Sequence, residues 1–253
     1  MIPVNDSNSL RGKTALITGG AKRIGAVDSR LLHAAGMNII IHCRGSRPEA
    51  DALAAELNKT REHSAHVLQL DLDQHDQLAG LIEQAVAVWG RLDALINNAS
   101  SFYPTPVGSI TIDDWDNLMG SNLKAPLFLS QAAAPHLKKT GGCIINMVDV
   151  HAFKPMRKHP VYCAAKAGLV MLTQSLAREL GPEVRVNAIA PGAILWPDND
   201  MPEETKQLIL DRTALKRPGT PDDIAKTILF LVRDADYITG QIISVDGGRS
   251  LNI

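Results

Sequence analysis

Short apolar segments alternate along the chain with longer stretches in which apolar residues recur at helical spacing. The segments are rich in β-branched and aliphatic residues at consecutive positions, which is typical of parallel strands buried between two helical layers. They cover residues 14–18, 37–41, 67–70, 94–96, 143–147, 184–189 and 242–245. The alternation predicts an α/β fold, a doubly wound parallel sheet flanked by helices on both faces, with ligands bound at the carboxyl ends of its strands.

The stretches between the predicted strands carry the helix signals. Residues 74–89 and 161–180 are amphipathic helix candidates. Thr220 is followed by a proline and two aspartates, which is typical of a capped helix start with acidic residues in its first turn. The least regular stretch, residues 192–201, contains Trp196 and is either a plain surface loop or a lid over a substrate.

Length, charge and cysteine content narrow the class of protein. The 253 residues fit one α/β domain, spanning residues 1–253, and the net charge of -1 with scattered basic residues indicates no nucleic-acid partner. The polar residues 1–9 lack a signal-like apolar core, and no run approaches the roughly 18 apolar residues of a membrane span. The three cysteines lack metal-ligand spacing, so we expect a cytoplasmic protein without a metal or a membrane partner, with cysteines that pack in the core.

A glycine-rich turn follows the first predicted strand and opens the first predicted helix. Residues 18–25 read Thr-Gly-Gly-Ala-Lys-Arg-Ile-Gly. Glycines at such a turn let backbone N–H groups and the helix N-terminus approach a pyrophosphate, although turns also use glycine for steric reasons alone. The strand before the turn and the helix after it favour the pyrophosphate site.

The ends of the second and third predicted strands indicate which dinucleotide would bind. In a dinucleotide fold the end of the second strand meets the adenosine ribose, and an acidic residue there favours a free 2′-hydroxyl. This chain has Arg44 and Ser46 instead, which are hydrogen-bond donors suited to a 2′-phosphate. The prediction is NADPH, with a solvated arginine as the alternative. Asp71 ends the third strand and either borders the adenine or caps a helix.

Tyr162 and Lys166 lie four residues apart on a predicted helix, and Asp149 precedes the tyrosine by thirteen residues. Residues at i and i+4 project from one helix face. A nearby ammonium group stabilises a phenolate, so we expect Lys166 to lower the pKa of Tyr162 below its usual value of about 10. A tyrosine with a lowered pKa can transfer a proton at neutral pH.

Together these motifs resemble the short-chain dehydrogenase/reductase family over essentially the whole chain. The matching positions are the glycine turn, Asn97-Asn98-Ala99, Asn122, Tyr162 with Lys166, Pro191-Gly192 and Asp246-Gly247-Gly248. The resemblance implies a Rossmann-type sheet of seven parallel strands, a nicotinamide cofactor and a homotetramer.

Two departures from the family pattern, together with two further segments, resemble its pteridine reductases. Arg23 stands where the glycine turn normally has glycine, and Asp149 stands at the position of the catalytic serine. Residues 97–104, Asn-Asn-Ala-Ser-Ser-Phe-Tyr-Pro, replace the usual Asn-Asn-Ala-Gly, and residues 42–46 also resemble this group. The group includes bacterial enzymes that reduce dihydromonapterin or dihydrofolate and parasite enzymes that reduce biopterin and folate.

The resemblance assigns a role to each matching position. It places Asp149, Tyr162 and Lys166 in the catalytic group, with Asn122 supporting a water-linked proton path. The implied cofactor contacts are Gly19, Arg23, Ile24, Gly25, His42, Arg44, Ser46, Asp71, Leu72, Asn98, Ala99, Ser100, Tyr162, Lys166, Pro191 and Gly192. The implied substrate contacts are Arg23, Ser100, Phe102, Asp149, Tyr162 and Trp196.

The chemistry of the side chains at positions 102 and 149 agrees with a pterin substrate. A pterin is a flat heteroaromatic, which an aromatic platform such as Phe102 would stack, unless that residue only packs the loop. A carboxyl group at position 149 suits protonation of a ring nitrogen better than a serine does. We interpret His151 and His159 as solvated loop residues.

The sequence therefore predicts an NADPH-dependent pteridine reductase acting on a dihydropterin or on dihydrofolate. The alternatives are a reductase of the same family acting on a carbonyl, such as a 3-oxoacyl thioester or a sugar ketone, and a sensor that binds NADPH without turnover.

Overall fold

A parallel sheet of seven strands forms the centre of the molecule. The computed structural model describes residues 9–196 and 202–252. The strands are β1 (Thr14–Ile17), β2 (Asn38–Cys43), β3 (Ala65–Gln69), β4 (Ala94–Asn97), β5 (Cys143–Met147), β6 (Arg185–Pro191) and β7 (Ile242–Val245). They pair in the order β3-β2-β1-β4-β5-β6-β7, and each neighbouring pair is parallel. The predicted doubly wound seven-stranded sheet is confirmed.

Helices connect the strands and cover both faces of the sheet. They are α1 (Arg23–Ala34), α2 (Arg47–Thr60), α3 (Leu78–Trp89), α4 (Ile112–Met119), α5 (Ala125–Thr140), α6 (Pro160–Leu180), α7 (Glu203–Arg212) and α8 (Pro221–Arg233). The predicted helix over 74–89 begins only at Leu78, because a 3₁₀ turn at His75–Gln77 precedes it. The predicted start after Thr220 is confirmed, since Thr220 and Asp223 form a reciprocal capping box.

The strand sequence explains the two layers of core. Side chains alternate between the faces of a strand, so Ile17 and Ile41 contribute to one buried cluster and Leu16 and Ile40 to the other. All four residues of β1 are buried, as required of a central strand covered by helices on both sides. No helix in the described parts of the chain is both long and apolar enough to cross a membrane.

The strand order places a crevice at one edge of the sheet. From β1 the chain proceeds outward through β2 and β3, and it then returns to add β4 on the other side of β1. The chain leaves β1 toward one side of the sheet and leaves β4 toward the other side. A crevice therefore opens at the carboxyl ends of these two strands, which is where ligands bind in such sheets. The glycine turn and the Asn-Asn-Ala segment follow these two strands.

The structure contains a buried carboxyl group that we did not predict from the sequence. Asp28 on α1 is fully buried, and neither of its carboxyl oxygens has a hydrogen-bond partner among the described residues. Burial raises the pKa of Asp28 well above its ordinary value. Burial without a hydrogen-bond partner thus favours the neutral form of this side chain.

Candidate active site

A cleft of about 610 Å³ occupies the crevice. Most predicted cofactor residues line it: Gly19, Arg23, Ile24, Gly25, His42, Arg44, Ser46, Asp71, Leu72, Asn98, Ala99 and Ser100. Tyr162, Lys166, Pro191 and Gly192 are not among the residues that line this cleft. The sequence thus identified most of the lining of one continuous groove, while the predicted catalytic residues lie outside it.

The glycine turn is built for close approach of backbone atoms. Gly19 has φ +61°, and a Cβ atom on Gly25 would lie 2.3 Å from the carbonyl oxygen of Gly19. The Asn98 amide holds the turn by donating to the carbonyl oxygens of Thr18 and Gly19 at 2.8 and 3.2 Å. Lys22, the N-cap of α1, provides no side-chain cap. The start of α1 thus has no side-chain cap from Lys22, and an uncapped helix start at a glycine turn fits the pyrophosphate of a dinucleotide.

His42 lines the cleft, but both of its ring nitrogens form hydrogen bonds within the protein. Burial lowers the pKa of His42 to about 4, so the ring is neutral near pH 7. Its Nε2 lies 3.0 Å from the Leu70 carbonyl oxygen and must carry the proton, while Nδ1 accepts the Gly19 N–H at 3.2 Å. The residue joins the glycine turn to the end of β3.

Arg44 and Ser46 lie at the end of the cleft formed by β2. Arg44 is exposed, and its backbone is held by the Gln69 amide, which donates to the Arg44 carbonyl oxygen at 2.7 Å. Ser46 is the N-cap of α2, yet its side chain makes no capping hydrogen bond. Asp71 accepts the Asp73 N–H at 3.2 Å and also lines the cleft, so it caps a turn at the cleft edge.

The predicted catalytic residues meet at the carboxyl end of β5. Tyr162 Oη donates to Asp149 Oδ2 at 2.8 Å, and Asp149 Oδ1 accepts the His151 N–H at 2.8 Å. Lys166, on the next turn of α6, donates from Nζ to the Met147 carbonyl oxygen at 2.8 Å. Both carboxylate oxygens of Asp149 are thus engaged, and the segment after β5 holds the tyrosine and the lysine together.

The expected effect of Lys166 on Tyr162 is wrong. Burial raises the pKa of Tyr162 well above its ordinary value, and the charge and hydrogen bond of Asp149 raise it further, while a hydrogen bond with Ser100 opposes them. Lys166 Nζ lies 5.6 Å from the centroid of the tyrosine ring and is directed to the Met147 carbonyl. Burial lowers the pKa of Lys166 itself to about 8, and Asp149 opposes that shift.

Asn122 connects the loop after β4 to the helix that follows it. The residue is fully buried in a π-helical turn, Gly120–Lys124, between α4 and α5. Its amide donates to the carbonyl oxygens of Leu118 and Ser101, both at 2.9 Å, and its Oδ1 accepts from Ser100 Oγ at 2.6 Å. Ser100 in turn interacts with Tyr162, so a chain of polar groups runs from Asn122 to Asp149.

Phe102 lies beside the predicted catalytic residue Tyr162, and His159 stacks on the Phe102 ring. The rings of Phe102 and His159 stack with centroids 4.8 Å apart and an interplanar angle of 7°, while Tyr162 meets Phe102 edge-on at 4.9 Å. Our interpretation of His159 as a solvated residue is therefore wrong. Its position directly before Pro160, three residues from Tyr162 at the start of α6, was the available signal. Phe102 is still 48% exposed, which leaves ring surface for a ligand.

The loop after β6 reaches back toward the glycine turn. Arg23 Nη2 donates to the Trp196 carbonyl oxygen at 3.4 Å. Gly192 donates its N–H to the Val245 carbonyl at 3.0 Å, and a Cβ atom on Gly192 would lie 2.7 Å from Asp246. Residues 197–201 of the predicted loop or lid lie outside the described residues, so the choice between those two interpretations stays open.

Comparison with known proteins identifies the family. A family model described as Enoyl-(Acyl carrier protein) reductase matches residues 19–250. The chain is 35% identical to pteridine reductase 1 of Leishmania tarentolae, over 94% of this chain and 96% of that protein. It is 34% identical to the 3-oxoacyl-[acyl-carrier-protein] reductase FabG of Thermotoga maritima, over 94% and 98%, and 35% identical to that of Staphylococcus aureus, over 93% and 97%. The chain belongs to the short-chain dehydrogenase/reductase family and is an oxidoreductase of that family.

Arg23 keeps a backbone conformation that normally requires glycine. Its φ is +52°, in the left-handed region that costs an L-residue roughly 1–2 kcal/mol. We expect Arg23→Gly to be about 1 kcal/mol more stable than Arg23→Ala, because both variants lose the guanidinium but only glycine relieves the backbone. Denaturant unfolding of the two variants measures the difference. Elsewhere in a helix alanine is the more stable by about 0.5–1 kcal/mol, and that order here would show an unstrained position.

Proposed function

We propose that the protein is an NADPH-dependent pteridine reductase that acts on a dihydropterin or on dihydrofolate. The observation that carries this proposal is the hydrogen bond from Tyr162 to a carboxyl group, Asp149, beside the ring of Phe102. This arrangement places an aromatic platform next to a hydrogen-bonded pair of groups that can transfer a proton. A flat heteroaromatic substrate with a basic ring nitrogen needs both groups.

The residues of the cleft fit NADPH. The glycine turn and the uncapped start of α1 would hold the pyrophosphate. Arg44 and Ser46 would hold the 2′-phosphate through charge-assisted hydrogen bonds. Lys166, with Tyr162, would hold the nicotinamide ribose. Bound there, NADPH supplies the hydride for the carbon of a C=N bond.

Charge balance explains why a carboxyl group replaces the family's serine. The ring nitrogen of a reduced C=N bond must gain one proton. If Tyr162 gave up its proton beside an ionised Asp149, two adjacent anions would remain, and burial and Asp149 both oppose ionisation of that phenol. In the proposed step the Asp149 carboxylate takes up a proton from solvent and passes it to the ring nitrogen, which leaves only one anion, stabilised by the hydrogen bond from Tyr162 and by the charge of Lys166.

A carbonyl substrate is the second candidate. Its support is the near-equal identity of the chain to 3-oxoacyl-[acyl-carrier-protein] reductases, at 34–35%. Asp149 weighs against it, because a serine hydroxyl hydrogen-bonds a ketone oxygen without adding a negative charge next to a developing alkoxide. A sensor without turnover accounts less well for the complete chain of polar groups from Asn122 to Asp149.

The assembly that we propose is a homotetramer. Large apolar side chains are exposed on three neighbouring helices: Trp115 on α4, Phe128 on α5 and Met171 on α6. Exposed apolar surface of this kind is typical of interfaces between subunits. Association of copies through these helices would bury it.

Cofactor preference tests the assignment of Arg44. We expect at least a tenfold preference for NADPH over NADH in kcat/KM, equivalent to about 1.4 kcal/mol, because a guanidinium can bind the 2′-phosphate. Arg44→Asp should erase most of this preference by placing a carboxylate against that phosphate. Arg47→Asp is a nearby control, because Arg47 already pairs with Asp51 at 2.8 Å. Equal kcat/KM for the two cofactors in the parent would rule the assignment out.

Substrate choice tests the role of Asp149. We expect Asp149→Ser to lower kcat/KM for dihydrobiopterin by about tenfold or more, because serine cannot supply the proton. The dissociation constant for NADPH should stay nearly unchanged. Tyr162→Phe should lower turnover by about tenfold or more while it retains the fold, because it removes the hydrogen bond that stabilises the Asp149 carboxylate.

The same assay includes acetoacetyl thioester as a substrate for parent and variant. Undiminished pterin reduction by Asp149→Ser would remove the main reason for preferring a pterin. Turnover of the thioester but of no pterin would favour the carbonyl reductase, and NADPH binding without any turnover would favour the sensor.

A further inference from the structure

The ring of Phe102 lies on a loop that does not fix its orientation by itself. Residues 98–106, between β4 and α4, belong to no helix or strand, and Phe102 is 48% exposed. An exposed side chain on such a loop has several rotamers, and a flat ligand that binds to it has to remove that freedom. A platform at this position therefore requires a second group that holds the ring before the ligand binds.

The imidazole of His159 contacts the Phe102 ring in an arrangement that can hold it. The two rings are nearly parallel, with an interplanar angle of 7° and centroids 4.8 Å apart, which is a favourable aromatic geometry. Tyr162 meets the Phe102 ring edge-on at 4.9 Å. A rotation of Phe102 away from this position breaks both contacts. His159 covers one face of the ring, so the exposed remainder is the surface that a ligand can reach.

Hydrogen bonds hold His159 itself at the start of α6. Its Nδ1 lies 2.8 Å from the Arg157 carbonyl oxygen, so this nitrogen carries the proton and donates it to that carbonyl. The His159 carbonyl oxygen accepts the Cys163 N–H at 3.0 Å, and Pro160 is the first residue of the helix. The imidazole is thus attached to the same helix that carries Tyr162.

A backbone hydrogen bond joins the same two segments next to the ring stack. Thr105, on the Phe102 loop, donates its N–H to the Lys158 carbonyl oxygen at 2.6 Å. Lys158 has φ +63°, in the left-handed region that L-residues rarely adopt. A residue keeps such a conformation where the surrounding contacts outweigh its cost. The Phe102 loop and the start of α6 are therefore fixed to each other twice, by this bond and by the stacked rings.

We propose that His159 is a positioning residue, whose ring supports Phe102 from one face so that Phe102 presents a fixed surface to a pterin. This inference rests on the proposed function. The effect falls on pterin binding, because a platform that is already oriented lowers the entropy cost of association. Cofactor binding is separate, since His159 is not among the residues that line the cleft at the glycine turn.

Steady-state kinetics at saturating NADPH test this role. We expect His159→Ala to raise KM for dihydrobiopterin by about three- to tenfold, the scale of one lost aromatic pair, with kcat within about twofold of the parent. His159→Phe restores a ring without the hydrogen bond to Arg157, so its KM should stay within about twofold of the parent. The dissociation constant for NADPH should be unchanged in both variants, which also shows that they are folded.

Lys154→Ala is the control from the same segment, because the Lys154 side chain is exposed and makes no hydrogen bond or ion pair with a described residue. Its KM for dihydrobiopterin should equal that of the parent. An unchanged KM in His159→Ala would overturn the inference, as would an equal rise in Lys154→Ala. A lower KM in His159→Ala would also overturn it, because His159 would then compete with the pterin for the ring.

Fluorine NMR tests the ring contact without a substrate. The chain has four phenylalanines, so Phe102→Leu identifies the Phe102 resonance in protein labelled with 4-fluorophenylalanine. This resonance should shift in His159→Ala and keep its position in Lys154→Ala. An unshifted resonance in His159→Ala would overturn the inference whatever the substrate is. Failure of the proposed function looks different, because the parent would then turn over no pterin although the resonance shifts, and the role of His159 toward a pterin would be refuted with it.

Discussion

The hydrogen bond from Tyr162 to Asp149 is the interaction on which the account of this site depends. It joins the first turn of α6 to the segment after β5, and Lys166 secures the same segment through the Met147 carbonyl. Phe102 meets the tyrosine edge-on, and Ser100 connects it to Asn122. The pair also changes the chemistry expected of the family's tyrosine. A phenol that donates to a carboxylate keeps its proton, so under the proposed function the proton for a ring nitrogen would come from solvent by way of Asp149.

The cleft at the glycine turn depends on a different constraint, namely the geometry of its backbone. The glycine turn depends on Gly25 lying against the Gly19 carbonyl and on a neutral His42 that accepts the Gly19 N–H. Arg23 has φ +52° at the position where the family resemblance leads us to expect glycine. A residue can keep a strained backbone conformation at a binding cleft when its side chain is needed there. The guanidinium connects this turn to the loop after β6.

Local patterns predicted the fold and most of the cleft, because strand burial, turn chemistry and helix caps are properties of neighbouring residues. The positions of Arg44, Asp149 and Tyr162 followed from the order of motifs along the chain. Properties that arise between distant segments were missed. The pKa of Tyr162 has the opposite direction from the one expected, because spacing on a helix cannot show which acceptor the phenol reaches. The stacking of His159 on Phe102 and the burial of the acid Asp28 likewise depend on packing between elements.

The central claim is that burial and Asp149 together keep Tyr162 protonated, and ultraviolet titration of the phenols tests it most directly. The chain has only three tyrosines, so Tyr162→Phe identifies the contribution of this residue. The account predicts that Tyr162 in the parent does not ionise below about pH 10, the ordinary tyrosine pKa. In Asp149→Asn its ionisation should move to lower pH, because the negative charge that opposes it is gone. Ionisation of Tyr162 near neutral pH in the parent, or a titration unchanged by Asp149→Asn, would contradict the account.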